Sequence, residues 1–224
     1  VLCALCCAHD AVAQDRTAEE LAQAMRAKLD KTGETPDEPG YPVIACEQRE
    51  RKIFIFKSGK DWDQPDSILW QWDPGEALPP EQAKWFNAID ECKPALGGDA
   101  ILTNASGGGV ALVRIADKKI LFLGFAGGNT HSCALLPDGN VVSASSTGRY
   151  LALFAVPADN AERDAVEPTP IAQQYELDQA HGVVWDAKRE LLWALGETEL
   201  IAYRYVGSKE EPALEVFKQY ELKG

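Results

Sequence analysis

Histidine is scarce in this chain, with three in 224 residues, at positions 9, 131 and 181, so imidazole chemistry is confined to few places. Basic charge is also short: 22 Lys and Arg stand against 35 Asp and Glu, a formal net charge of −13. With no basic run to offset it, that sign repels phosphate backbones and anionic bilayers, which argues against nucleic-acid and membrane-surface partners. No segment approaches the ~20 consecutive apolar residues of a membrane span. Of the six cysteines, Cys3, Cys6 and Cys7 crowd the first seven residues, and the remaining Cys46, Cys92 and Cys133 are an odd count with no CxxC spacing. One disulfide plus a free thiol suits an oxidising compartment, but three small buried hydrophobes is the reading favoured. Phosphate-loop and serine-hydrolase frames are missing as well. Ser106-Gly-Gly-Gly109 lacks the GxxxxGK[ST] pattern, and Ser143, Ser145 and Ser146 sit in no nucleophile elbow.

What is present is ordinary globular stock, 46% hydrophobic and 25% charged, enough to build a core. Residues 1–13 read as the remnant of an apolar secretory segment, with small Ala11 and Ala13 where a signal peptidase would cut. A secreted or periplasmic location follows as an expectation. From Thr17 to about Lys31 the pattern is helical. Thr17 and Glu20 form a capping box, and Leu21, Met25 and Leu29 line one face. Gly33 and the Pro/Glu/Gly segment after it make residues 14–41 a helix and linker.

Beyond Pro42 the signal changes to short apolar runs separated by turns, and it repeats. Fourteen-residue segments starting at Val43, Ile101, Val141 and Leu191 align without a gap: VIACEQRERKIFIF, ILTNASGGGVALVR, VVSASSTGRYLALF and LLWALGETELIAYR. Each reads as strand, polar or glycine-rich turn, strand. A further strand-like run follows each one, and the last three are preceded by a run beginning near Glu91, His131 and His181. Four strands per unit at starts 58, 40 and 50 residues apart fit an all-β fold, a β-propeller of four-stranded antiparallel blades. The blades fall at about 42–75, 88–126, 130–178 and 180–222, within a propeller region of 42–224. The first unit has no run to serve as its innermost strand, so the expectation is a partial ring from a longer protein.

Both later histidines lie ten residues before a paired aliphatic step, Val141-Val142 and Leu191-Leu192. The same count before Ile101 gives Glu91. In a propeller the start of the innermost strand and the turn between the second and third strands share one face, so Glu91, His131 and His181 are expected at the channel mouth. Ser106 and Arg149, in those second turns, border the same rim. Imidazoles beside a carboxylate could contact a ligand, act as acid and base near neutral pH, or hold a divalent metal through His131 and His181. A polar residue capping an inner strand is the simpler alternative. Pro137-Asp-Gly139 reads as a hairpin corner, and Trp62, Trp70, Trp72 and Trp85 as packing between blades.

The runs HSCALLPDGNVVSAS, ILTNASGGGVALVRI and AHGVVWDAKRELLWALG resemble an uncharacterised family of secreted bacterial six-bladed β-propellers, itself a domain of unknown function. The resemblance covers roughly residues 42–222 and implies a six-bladed ring with about four blades in this chain. It transfers no catalytic residue. A more distant similarity is to propellers that cleave oligogalacturonate by β-elimination, using a metal held by channel-mouth histidines. The function expected is binding of a small molecule or glycan at the channel mouth. A lyase or hydrolase acting on uronic-acid sugars is the alternative, and a protein-interaction scaffold with structural histidines is the third.

Overall fold

The computed structural model describes Glu20, Gln23, Ala27, residues 42–162 and residues 167–223. The secretory remnant and most of the expected N-terminal helix therefore lie outside the described residues; Glu20, Gln23 and Ala27 are helical.

From Pro42 onward the chain folds into four antiparallel sheets, each built from strands consecutive in sequence. The first holds β1 (Pro42–Glu47), β2 (Lys52–Lys57) and β3 (Ile68–Trp72). The second holds β4 (Ile89–Ala95), β5 (Ala100–Ala105), β6 (Gly109–Arg114) and β7 (Ile120–Phe125). The third holds β8 (Thr130–Leu135), β9 (Val141–Ser145), β10 (Tyr150–Phe154) and β11 (Ile171–Glu176). The fourth holds β12 (Gly182–Asp186), β13 (Leu191–Leu195), β14 (Glu199–Gly207) and β15 (Pro212–Glu221). The four repeated segments are the hairpins β1–β2, β5–β6, β9–β10 and β13–β14. The first sheet has three strands, with β1 in the second-strand position and no inner neighbour in its sheet among the described residues.

Strand alternation explains why the sheets stack as blades. Successive side chains on a strand point to opposite faces, so a strand buried on both faces serves two cores at once. Along β5, Ile101 and Ala105 enter a cluster with Ile53, Ile55, Trp70 and Trp72 of the first sheet. Ala100 and Leu102 on its other face join Val141, Ala152 and Phe154 of the third. A third cluster joins Val142, Leu151 and Leu153 to Leu192, Ala194 and Ile201. The core is thus a series of layers between blades. Trp70 and Trp72 are buried in the first layer, whereas Trp62 is exposed and stacks on Phe56 at 4.9 Å.

The connection between the first two blades, mostly outside the expected blade bounds of 42–75 and 88–126, is partly helical. It contains two single-turn helices, α1 (Pro74–Ala77) and α2 (Pro80–Ala83). Each starts with proline at its first position, where the missing N–H costs nothing, and the Asp73 carboxylate accepts from Gly75 N at 2.7 Å. Four residues are too few to show helical periodicity, so the sequence pattern is silent there.

Pro137-Asp-Gly139 is a corner, as expected, and Asn140 beside it does more. Its amide donates to Tyr205 Oη at 2.7 Å and to the Lys209 carbonyl at 2.9 Å, while its own carbonyl accepts from Val156 N at 2.7 Å. Tyr205 Oη donates in turn to Asp138. Burial, then that hydrogen bond, push the Tyr205 hydroxyl above its ordinary value, so it stays a donor. The motif ties blades three and four together at the end opposite the histidines.

Candidate functional site

The loops before the inner strands are left-handed and tight. Gly127, Gly128 and Asn129 have φ of 68°, 64° and 59°, and Ala88 and Gln179 have φ of 55° and 48°. In each case the left-handed non-glycine residue lies two before a polar side chain: Ala88 before Asp90, Asn129 before His131, Gln179 before His181. Asp90 and His131 are also the extra residues of bulges, since the ladder shifts between Ile89 and Glu91 and between Thr130 and Ser132. A bulge leaves its extra residue out of the pairing and re-aims its side chain. The position equivalent to the histidines is therefore Asp90, not Glu91. The second blade's first turn, which includes the 3-10 segment Leu96–Gly98, is one residue longer than the third blade's, so counting ten back from Ile101 stops one residue short.

At the rim the His131 and His181 rings stack at 4.7 Å between centroids and 9° between planes. His131 Nδ1 lies 3.7 Å from Asp90 Oδ2, and its Nε2 is 3.0 Å from Asn129 Nδ2. That amide nitrogen can only donate, so Nε2 is the acceptor and the proton of the neutral ring sits on Nδ1, facing Asp90. Asp90 accepts from Ser106 Oγ at 2.6 Å and Gln48 Nε2 at 3.2 Å, which links the first two blades. His181 Nδ1 is 2.8 Å from the Gln179 carbonyl. A carbonyl only accepts, so this proton too is on Nδ1, and Nε2 is left as an acceptor with no protein partner among the described residues.

One step deeper a second polar set lines the channel. Glu91 Oε2 accepts from Cys133 N at 2.9 Å and Ser132 Oγ at 3.0 Å, and Oε1 meets Lys93 Nζ at 2.9 Å. Lys93 also donates to the carbonyls of Cys133 at 3.0 Å and Val183 at 3.2 Å. Three inner strands, β4, β8 and β12, are thereby clamped.

Of the residues expected at the rim, His131, His181 and Ser106 come together. Glu91 goes to the channel wall. Arg149 turns away: its Nε pairs with Asp178 Oδ1 at 2.9 Å, in a cleft of about 980 Å³ between blades three and four also lined by Tyr150, Glu176 and Tyr203. Asp90, Asn129, Gln48 and Lys93 escaped the sequence pattern. A one-residue gap in the repeat alignment would have found Asp90.

The glycines of Ser106-Gly-Gly-Gly109 serve close approach. A Cβ on Gly107 would lie 2.6 Å from the Trp85 carbonyl oxygen, and one on Gly108 would lie 2.7 Å from Gly127 Cα. Gly128 and Gly148 repeat that contact one blade on, also at 2.7 Å.

No group of three or more His, Cys, Asp or Glu is placed to hold a metal ion among the described residues. The stack itself is unsuited to one: imidazole lone pairs lie in the ring plane, and parallel rings cannot aim both at a common point. The set can instead accept hydrogen bonds and present an imidazole base.

These blades, their layered cores and their polar rim define a β-propeller. The chain belongs to the family described as "Family of unknown function (DUF6528)", whose model matches residues 11–221. No curated protein matches its sequence. Among solved structures it is similar to Hsv2, a β-propeller. Against Hsv2 from Kluyveromyces marxianus the TM-score is 0.52 at 11% identity, over 81% of this chain and 56% of that one. Against Hsv2 from Kluyveromyces lactis it is 0.52 at 10% identity, over 84% and 61%. The chain thus spans little more than half the length of these structures. The likeness establishes the fold.

Proposed function

We propose that this propeller, exported to a secreted or periplasmic location, binds a small hydroxyl-rich molecule or glycan at the channel mouth. One observation carries it: the stacked His131–His181 pair, at equivalent positions of adjacent blades, leaves His181 Nε2 open as an acceptor at an exposed rim. A sugar hydroxyl donates to such a nitrogen, and the neighbouring groove offers it a wall. That groove, of about 290 Å³, is lined by Ser132, Gly182, Val184 and Trp193 among others. An indole beside polar groups suits the mixed surface of a sugar ring. The net charge of −13 favours a neutral ligand over an anionic one through long-range repulsion.

A second reading is a lyase or hydrolase acting on uronic-acid sugars, favoured by the same open nitrogen. An imidazole whose Nδ1–H is held by a carbonyl is oriented to take a proton at Nε2.

The test is ligand-observed and imidazole-observed NMR of the full chain against a panel of neutral and uronic-acid oligosaccharides. Binding should move the His131 and His181 ring resonances and should weaken at least tenfold in His181→Ala, with an unchanged circular dichroism spectrum. Binding that survives His181→Ala, or a panel with no binder, overturns the proposal. Unsaturated product from a uronic-acid substrate, lost in the same variant, would select the lyase.

A further inference from the structure

The described cysteines are of two kinds. Cys133 is fully buried, and burial pushes its thiol well up, which makes it inert. Cys46 on β1 and Cys92 on β4 are partly exposed, and their sulfurs are 3.6 Å apart across the boundary between the first two blades. At that distance the Cys92 thiol donates a hydrogen bond to Cys46 Sγ. Forming a bond of ~2.05 Å requires the sulfurs to approach by roughly 1.5 Å, within reach of side-chain rotation. The two thiols are also differentiated. The hydrogen bond that Cys92 donates, against opposition from burial, holds the Cys46 thiol down at about 7, and the same bond, aided by burial, pushes Cys92 up. The negative charges of Asp90 and Glu91 act on Cys46 in the opposite sense without overturning that order.

We infer that Cys46 and Cys92 form a reversible disulfide that staples the first blade to the second. The oxidant is a low-molecular-weight disulfide such as oxidised glutathione. Cys46 thiolate attacks one sulfur of the oxidant, forming a mixed disulfide and releasing one glutathione thiolate, which takes up a proton. Cys92 then loses its proton to solvent and attacks Cys46 Sγ, and the second glutathione leaves as thiolate and is protonated. Two protein thiols are oxidised and one small disulfide is reduced to two thiols.

The staple has a structural consequence at the rim. Two residues beyond Cys46 is Gln48, two residues before Cys92 is Asp90, and these side chains are hydrogen-bonded at 3.2 Å. The bond would fasten the first blade, whose sheet has three strands, directly beneath that contact. It closes a loop across 46 positions.

The experiment equilibrates the reduced full chain in glutathione buffers of rising oxidised fraction, then acid-quenches, alkylates and maps peptides. The expected result is a Cys46–Cys92 linked peptide, reversed by dithiothreitol, with Cys133 alkylated only after denaturation. The melting temperature should rise by roughly 5–10 °C on oxidation, and Cys92→Ser should abolish both link and shift. In the reduced protein the rate of Cys46 alkylation should climb as pH rises through about 7. Recovery of Cys46 and Cys92 as free thiols in fully oxidising buffer, or their pairing with Cys133 or the N-terminal cysteines instead, overturns the inference. The mapping needs only the wild-type chain, so a variant that fails to fold does not blunt it.

Discussion

Asp90 and Glu91 are consecutive carboxylates on one inner strand, yet they serve different layers. Asp90, on its bulge, stays at the rim, where it accepts from two turns and faces a histidine. Glu91 resumes the ladder and turns into the channel, where it caps Cys133 N and holds Lys93. The rim set is anchored from one side and open on the other. The channel set spends its hydrogen-bonding capacity on the protein. In this fold the bulge separates the two: it takes one residue out of pairing and leaves the next to hold the blades together.

The channel set should therefore dominate stability. Glu91→Ala leaves the half-buried Lys93 ammonium without its counter-charge and Cys133 N without its acceptor. A loss of about 3 kcal/mol is expected, read from the urea midpoint. Lys93→Met in the same background should recover part of it, since the stranded cation is then gone. A Glu91→Ala protein as stable as the wild type would erase the distinction between the layers.

Gly128→Ala probes the scaffold between them. The new Cβ would meet Gly148 Cα at 2.7 Å in a residue with φ of 64°, so both contact and backbone oppose it. About 2 kcal/mol of destabilisation is expected. Because Asn129 follows directly, the His131–His181 stack should loosen as well, seen as a loss of ring-current shift at both imidazoles. Loss of stability with an undisturbed stack would mean that the crossing loops do not position the rim.

Much of this molecule was legible in its sequence because strand alternation and a repeated hairpin report directly on blade packing. Ile101 and Leu102, facing opposite layers, belong to that pattern. So do the histidines, each set by the loop entering its inner strand. What escaped was local. The extra residue near Leu96–Gly98 shifted the carboxylate by one, and no propensity distinguishes Asp90 from Glu91 when both are acidic. The helices α1 and α2 were too short to show a period. Arg149 fell on the expected turn, but its direction depends on Asp178, which no pattern within the repeat names. The Cys46–Cys92 contact lies between blades, where register along a single strand carries no information.

The smallest effect on stability, and the sharpest test of the rim, belongs to Asp90→Asn. Asparagine is nearly isosteric and its Oδ1 can still accept from Ser106 or Gln48, so the urea midpoint should move by less than about 0.5 kcal/mol. What changes is the charge facing His131 Nδ1. If the carboxylate holds that ring against His181, its removal should shift the Hε1 resonances of both imidazoles and leave those of the buried cores in place. His181 would report the change although it makes no contact with residue 90, because the stack couples them. Shifts confined to His131 would mean that the rings are held apart by their own loops, Asn129 on one side and the Gln179 carbonyl on the other. Then the rim is three separate caps, each serving its own blade, and the case for a joint binding surface falls.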